Sequence, residues 1–187
     1  LSQVGHIPFN AMMTQLLGKT ALVNLSLQGA LIFNAIFLGL SAGFFEELFR
    51  YGMFRWWLKD SHTWQKSILA GVGHGGVEAI ILGGLALFSL IQLIAARDMD
   101  LSTLYSGTSL QTAQNQVLTY WSMPWHDSIL GAVERLFTIV IQISLAAIVV
   151  QSFIRKQKRW LWLAIVFHAL IDAAAIFARS KLNPYWI

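Results

Sequence analysis

Four stretches of this chain are apolar for long enough to cross a bilayer, and all of them carry ionisable residues. They run from about Leu25 to Leu58, Ser67 to Ala96, Ile129 to Phe153 and Trp160 to Phe177. The first is too long for one upright crossing, so it is expected to tilt, kink or extend beyond the bilayer. A backbone inside hydrocarbon must satisfy its own hydrogen bonds. The expected fold is therefore all-α, a polytopic transmembrane helix bundle with about four spans. Composition agrees: 12% of the residues are charged, against about 25% in a soluble domain. The chain has no cysteine, which excludes disulfides, thiol catalysis, Cys-ligated zinc and iron–sulfur clusters.

Residues 98–127 form the one long polar connection, and the sequence leaves open whether it holds a short surface helix. The first 20 residues read as a further extramembrane segment. Nothing resembles a hinge between soluble domains, so residues 1–187 are expected to form a single domain. The chain begins with Leu1 and shows no signal peptide, which is read as a fragment lacking N-terminal spans. The net charge of +4 is not a nucleic-acid signature, because the basic residues sit between apolar runs. Arg55, Lys59 and Lys66 mark one turn, and Arg155, Lys156, Lys158 and Arg159 another. Both turns are expected in the cytoplasm, opposite the sparser Lys19, Arg97, Arg179 and Lys181. Trp56, Trp57, Trp64, Trp160 and Trp162 read as interfacial anchors, and His6, His62 and His126 as solvent-facing.

The informative residues are Glu46, Glu47, Arg50, His74, Glu78, Glu134, Arg135, His168 and Asp172. A central Asp, and by the same order a Glu, costs about 2.5–3.5 kcal/mol to insert, so these residues must face one another, a metal or a water-filled cavity. At 1.5 Å per helical residue, Glu47 lies about 16 Å deep, Arg50, His74 and His168 near 12 Å, and Glu78 and Asp172 near 18 Å. Three spans thus place polar groups in one layer, with Glu134 expected in another. Glu134–Arg135 reads as a structural or interfacial ion pair. His74/Glu78 and His168/Asp172 are both i,i+4, which stacks imidazole and carboxylate on one helix face. Two histidines with carboxylates suit zinc or a similar divalent metal. The same carboxylates can instead orient the imidazoles. Glu46 and Glu47 point about 100° apart, so one is expected to face the site while the other pairs with Arg50.

Gly39-Leu40-Ser41-Ala42-Gly43 matches the G-x-S-x-G nucleophile elbow, which needs a strand–turn–helix setting. Inside an apolar span, Gly39 and Gly43 read better as a helix-packing pair. Gly71, Gly73, Gly75, Gly76, Gly83 and Gly84 read mostly the same way.

The runs FFEELFRYGMFRWW, GHGGVEAIILG and FHALID resemble the CPBP superfamily of CAAX proteases and bacteriocin-processing enzymes, and most of all its YhfC-type intramembrane metalloproteases. The likeness covers about residues 40–175. Its pattern maps onto Glu46, Glu47, Arg50, His74 and His168, with Asp172 where Asn is common. Arg50 stands one residue closer to the glutamates than in the broad pattern, and Ala70 replaces a Phe. The resemblance implies a multi-pass protein of the bacterial cell membrane that hydrolyses peptide bonds through a Glu/His-activated, metal-assisted water. Catalytic roles then fall to Glu46, Glu47, Arg50, His74 and His168, and divalent-metal ligation, with Zn2+ the first choice, to His74, His168, Glu78 and Asp172. Its partners would be the bilayer and a peptide or membrane-protein substrate, with no nucleic acid. Two rivals remain open: an ion- or proton-coupled transporter, and a non-catalytic scaffold or immunity protein.

Overall fold

The computed structural model describes residues 2–20 and 25–181. The side chains of Lys19 and Lys181, counted above for orientation, lie outside the described part. The described residues are all-α. In order they form α1 (Ser2–Thr20), α2 (Leu27–Gly52) continued by a π-helical turn (Met53–Trp57), α3 (Trp64–Arg97), a short 3-10 turn (Leu101–Thr103), α4 (Gly107–Ser122), α5 (Trp125–Ile154) and α6 (Arg159–Lys181). Four helices are long and apolar enough to cross a membrane: Leu27–Trp57, Trp64–Arg97, Trp125–Ile154 and Arg159–Ser180. Large apolar side chains such as Ile80, Leu85, Phe88, Leu136 and Leu170 are exposed along them, which suits lipid and not water. The polar connection does hold a helix, α4.

Contacts divide the chain into two compact units, residues 1–73 with 140–187, and residues 74–139. In the first unit, α2 and α6 pack backbone to backbone. The cause is the Gly39/Gly43 pair. A Cβ at Gly43 would lie 2.6 Å from the Ile165 carbonyl oxygen and 2.9 Å from the Ala169 nitrogen. One at Gly39 would strike the Ala169 carbonyl and come within 2.8 Å of the Ala173 nitrogen. Small residues on both helices let the backbones meet, the usual device where no hydrophobic effect drives association. The G-x-S-x-G match is thereby a packing motif, and Ser41 donates its hydroxyl hydrogen to Asn10 Oδ1 at 2.6 Å. Gly71 plays the same part between α3 and α5, where a Cβ would sit 2.5 Å from Ile143 Cα. The packing reading does not extend to Gly73, Gly76, Gly83 and Gly84, where a Cβ would meet no described atom within 4 Å.

Phe54, Leu145, Val149, Val150, Leu161, Ala164 and Ile165 form the apolar core of this unit. The π-helical turn keeps Phe54 in that core while Trp56 and Trp57 stay exposed. His62 is not solvent-facing. It donates from Nε2 to the Phe54 carbonyl at 2.9 Å and stacks on Phe153 at 4.4 Å, which satisfies a carbonyl near the end of the span. The α5–α6 turn is a Schellman motif. Gln157 N–H donates to Ser152 O and Lys156 N–H to Phe153 O, with Lys156 at φ 52° in the left-handed region.

α1 does not reach the apolarity of a span, and one face of it packs on α2. Phe9 packs on Phe37 and Phe45 of α2, and the His6 ring lies 5.9 Å from that of Phe45. In the second unit, Arg97 covers the Trp121 ring at 4.7 Å, and Asp100 caps the 3-10 turn through Ser102. His126 is half-buried, 3.6 Å from Asp127.

The α2–α6 contact yields a direct test. Gly43→Leu drives a side chain into the α6 backbone and is expected to lower stability by at least about 1–3 kcal/mol in thermal denaturation of the detergent-purified protein. Gly83→Ala, with open space around it, should change stability by no more than about 0.5 kcal/mol. Equal stability of the two variants would contradict this packing.

Candidate active site

The backbone contact at Gly43 sets the site one turn further along. Glu46 and Glu47 follow Gly43 by three and four residues, and Arg50 by seven, so the same face of α2 continues toward α6. On α6, His168 precedes the contact residue Ala169, and Asp172 follows His168 by one turn. All of these residues belong to the first unit.

Glu47 is the centre. It has no exposed side chain and lies between two cationic or hydrogen-bond-donating groups. Arg50 Nε donates to its Oε2 at 2.9 Å and Nη2 to its Oε1 at 3.3 Å. His168 Nδ1 donates to Oε1 at 2.8 Å. A carboxylate has no proton to give here, so Nδ1 of His168 carries the hydrogen of that bond. Nε2, on the opposite side of the ring, faces two further acids, with Glu46 Oε2 at 3.9 Å and Asp172 Oδ2 at 3.6 Å.

The spacing argument left open which glutamate turns to the site. Glu47 is consumed by Arg50 and His168, and Glu46 is the one beside the outward nitrogen of His168. Burial of Glu46 is almost as complete, at 5% exposure. Gln142 of α5 joins the two systems. Its Nε2 donates to Glu46 Oε2 at 3.3 Å, its Oε1 accepts from Arg50 Nη2, and its backbone carbonyl accepts from Arg50 Nη1 at 3.3 Å. The sequence reasoning passed over Gln142. Its signal was an amide in the apolar run IVIQISLAA, a residue that pays for burial only if both ends are bonded.

His74 and Glu78 lie in the second unit, on the continuation of α3. There Glu78 meets Arg135, with Oε1 3.7 Å from Nη1, and Arg135 also bonds Glu134 at 2.6 Å. Arg135 therefore serves two acids, and Glu134 is linked to Glu78 through it despite its expected separate layer. A cavity of about 910 Å³ in the same unit is lined by residues such as Gln92, Tyr105, Thr112, Gln116 and Tyr120. Among the described residues, no carboxylate, imidazole or amine lines it.

The residues around His168 are of the types that ligate divalent metals. An imidazole held by a carboxylate on one nitrogen, with further carboxylates near the other, is an arrangement metal sites use to orient a histidine and raise ligand basicity. Helices built to cross a membrane, with a buried glutamate–histidine–arginine cluster between them, define a polytopic membrane protein with a polar intramembrane centre. The chain belongs to the YhfC intramembrane metalloprotease family, whose description matches residues 7–187. It is similar to the "Uncharacterized membrane protein YhfC" of Bacillus subtilis (strain 168), with 36% identity over 142 residues, covering 73% of this chain and 54% of that protein. The chain thus spans about half the length of this curated relative. No solved structure matches it.

The fully buried Arg50–Glu47 pair makes a stability prediction. Arg50→Met leaves a buried carboxylate without its cation and is expected to cost about 3–5 kcal/mol in denaturation of the purified protein. Arg50→Lys keeps the charge but loses the fork that serves Glu47 and Gln142 together, and should recover only part of that loss. A wild-type denaturation profile for Arg50→Met would exclude this role.

Proposed function

We propose that the protein is an intramembrane endopeptidase that hydrolyses peptide bonds by an activated water. The observation that supports this most is the asymmetry of the two glutamates: one anchors His168 through Nδ1, while its neighbour sits beside the other ring nitrogen. Glu46 is the general base. It takes a proton from water as the water oxygen bonds to the scissile carbonyl carbon, and later returns that proton to the leaving amine nitrogen. Glu47 and Arg50 position His168 and do not touch the substrate. His168 and Asp172 are ligands for a divalent ion, with zinc the first choice. Such an ion supplies a Lewis acid that makes water acidic near neutral pH and stabilises negative charge on the carbonyl oxygen.

His74 and Glu78 enter on their sequence pattern, since HGGVEA repeats the His-x-x-x-acid-Ala spacing of HALIDA. They are proposed as further ligands, with Arg135 balancing the charge of Glu78. The substrate is a peptide or a membrane-protein segment that reaches the site from the bilayer. The two basic turns are proposed to be cytoplasmic, which puts the site in the cytoplasmic half of a bacterial cell membrane. The family's name supports the protease reading.

The test pairs metal content with cleavage. Wild-type protein, purified without chelators, is expected to carry about one zinc per chain by elemental mass spectrometry, and folded His168→Ala should lose it. Reconstituted in liposomes with a library of quenched-fluorescent hydrophobic peptides, Glu46→Gln should cut turnover by about 10²–10⁴-fold with zinc retained. Glu47→Gln should instead weaken zinc binding by about 10–100-fold. Cleavage by Glu46→Gln at the wild-type rate would overturn the assignment. Proton-coupled flux without cleavage would favour a transporter, and neither activity would favour a scaffold.

A further inference from the structure

α1 turns polar as well as apolar side chains toward α2. Its apolar Met12 and Leu16 are exposed, while the polar His6 and Asn10 are half-buried on the side that meets α2. Polar groups turned inward need partners there. Here the polar side chains form a chain of hydrogen bonds. Ser41 of α2 donates to Asn10 Oδ1 at 2.6 Å, and Asn10 Nδ2 donates to His6 Nε2 at 2.8 Å. With Nε2 accepting, the neutral ring of His6 carries its proton on Nδ1. His6 therefore offers an N–H donor and no second lone pair, which suits a carboxylate and not a metal. The ring lies against Phe45, the residue before Glu46, and within electrostatic range of both Glu46 and His168. Arg50, by contrast, is committed to Glu47 and Gln142.

We propose that α1 belongs to the active site, with His6 as a positioning residue that holds the Glu46 carboxylate and is itself aimed by the Ser41–Asn10 relay. This inference rests on the peptidase reading for its consequence, since it names the residue that orients the general base. Glu46 has Gln142 bonded to one oxygen. A second donor from the α1 side pins the carboxylate plane, so that the basic lone pair points at water and not at a neighbouring helix. A flexible base loses rate without losing substrate binding.

Two measurements test it. In the liposome cleavage assay, His6→Ala should lower kcat by about 10-fold with KM and zinc content unchanged, and His6→Gln, whose amide restores a donor, should recover most of that loss. Asn10→Ala should fall between them, because the ring remains but loses its aim. Wild-type kcat in His6→Ala, or no recovery in a folded His6→Gln, would overturn the proposal. The second measurement needs no activity. In ¹⁵N-histidine-labelled protein, the His6 imidazole signals, identified by their loss in His6→Ala, should show Nε2 as the acceptor and should shift in Glu46→Gln. Signals that ignore Glu46→Gln would overturn the contact even in an active enzyme. A shift in a protein that cleaves nothing would keep His6 in the cluster and remove only the peptidase reading.

Discussion

A carboxylate with no access to solvent, gripped by a guanidinium on one side and an imidazole on the other, is the constraint on which the first unit depends. In hydrocarbon the charge of Glu47 is tolerable only with such company. The pairing holds three helices in register at once. Arg50 sits one turn along α2, His168 must come from α6, and Arg50 reaches past Glu47 to both the side chain and the backbone of Gln142 on α5. Each of these bonds is short-range and directional. A shift of either neighbouring helix by one residue would leave a buried charge or a buried donor unmet, at a cost that no apolar contact replaces.

That electrostatic lock works only because the helices are already close. Gly39 and Gly43 bring α2 against the carbonyls of Ala169 and Ile165, and the glutamates then fall within bonding distance of His168 without long side-chain detours. The division of labour follows from helical geometry. Two adjacent residues diverge by about 100°, so a Glu-Glu pair facing one histidine cannot have equivalent members. One becomes the support of the imidazole and the other its neighbour across the ring. Position on a turn thus separates two environments for the same side chain.

Much of this was legible in the sequence, for reasons that differ by residue. The four spans were visible because hydrocarbon demands about 20 apolar residues in a row, a signal that side-chain packing does not blur. Glu46, Glu47, Arg50, His168 and Asp172 stood out because ions at membrane depth need a reason to be there. The Gly39/Gly43 pair was readable as packing because its helical setting ruled out the elbow it imitates. Gln142 was missed, since a neutral amide hardly interrupts an apolar run. His6 and His62 were misjudged because polar neighbours in sequence suggested water, whereas the fold turns them toward Phe45 and Phe153. The glycines of α3 misled in the opposite sense. Composition suggested one packing face, and Gly71 carries it while a methyl group at Gly73, Gly76, Gly83 or Gly84 would meet open space.

The amide of Gln142 is a connector with a fixed polarity. Its oxygen must face Arg50 and its nitrogen must face Glu46, so the group cannot rotate by half a turn without setting donor against donor and acceptor against acceptor. Few other residues can occupy the place. Glutamate would satisfy the arginine but turn a negative oxygen on Glu46. Lysine or arginine would reverse the fault, and asparagine is a methylene too short to span both. Each of these substitutions therefore leaves a donor or an acceptor of the cluster unmet. A change there must be accompanied by a change at Glu46 or Arg50, so the three residues are expected to vary together or not at all.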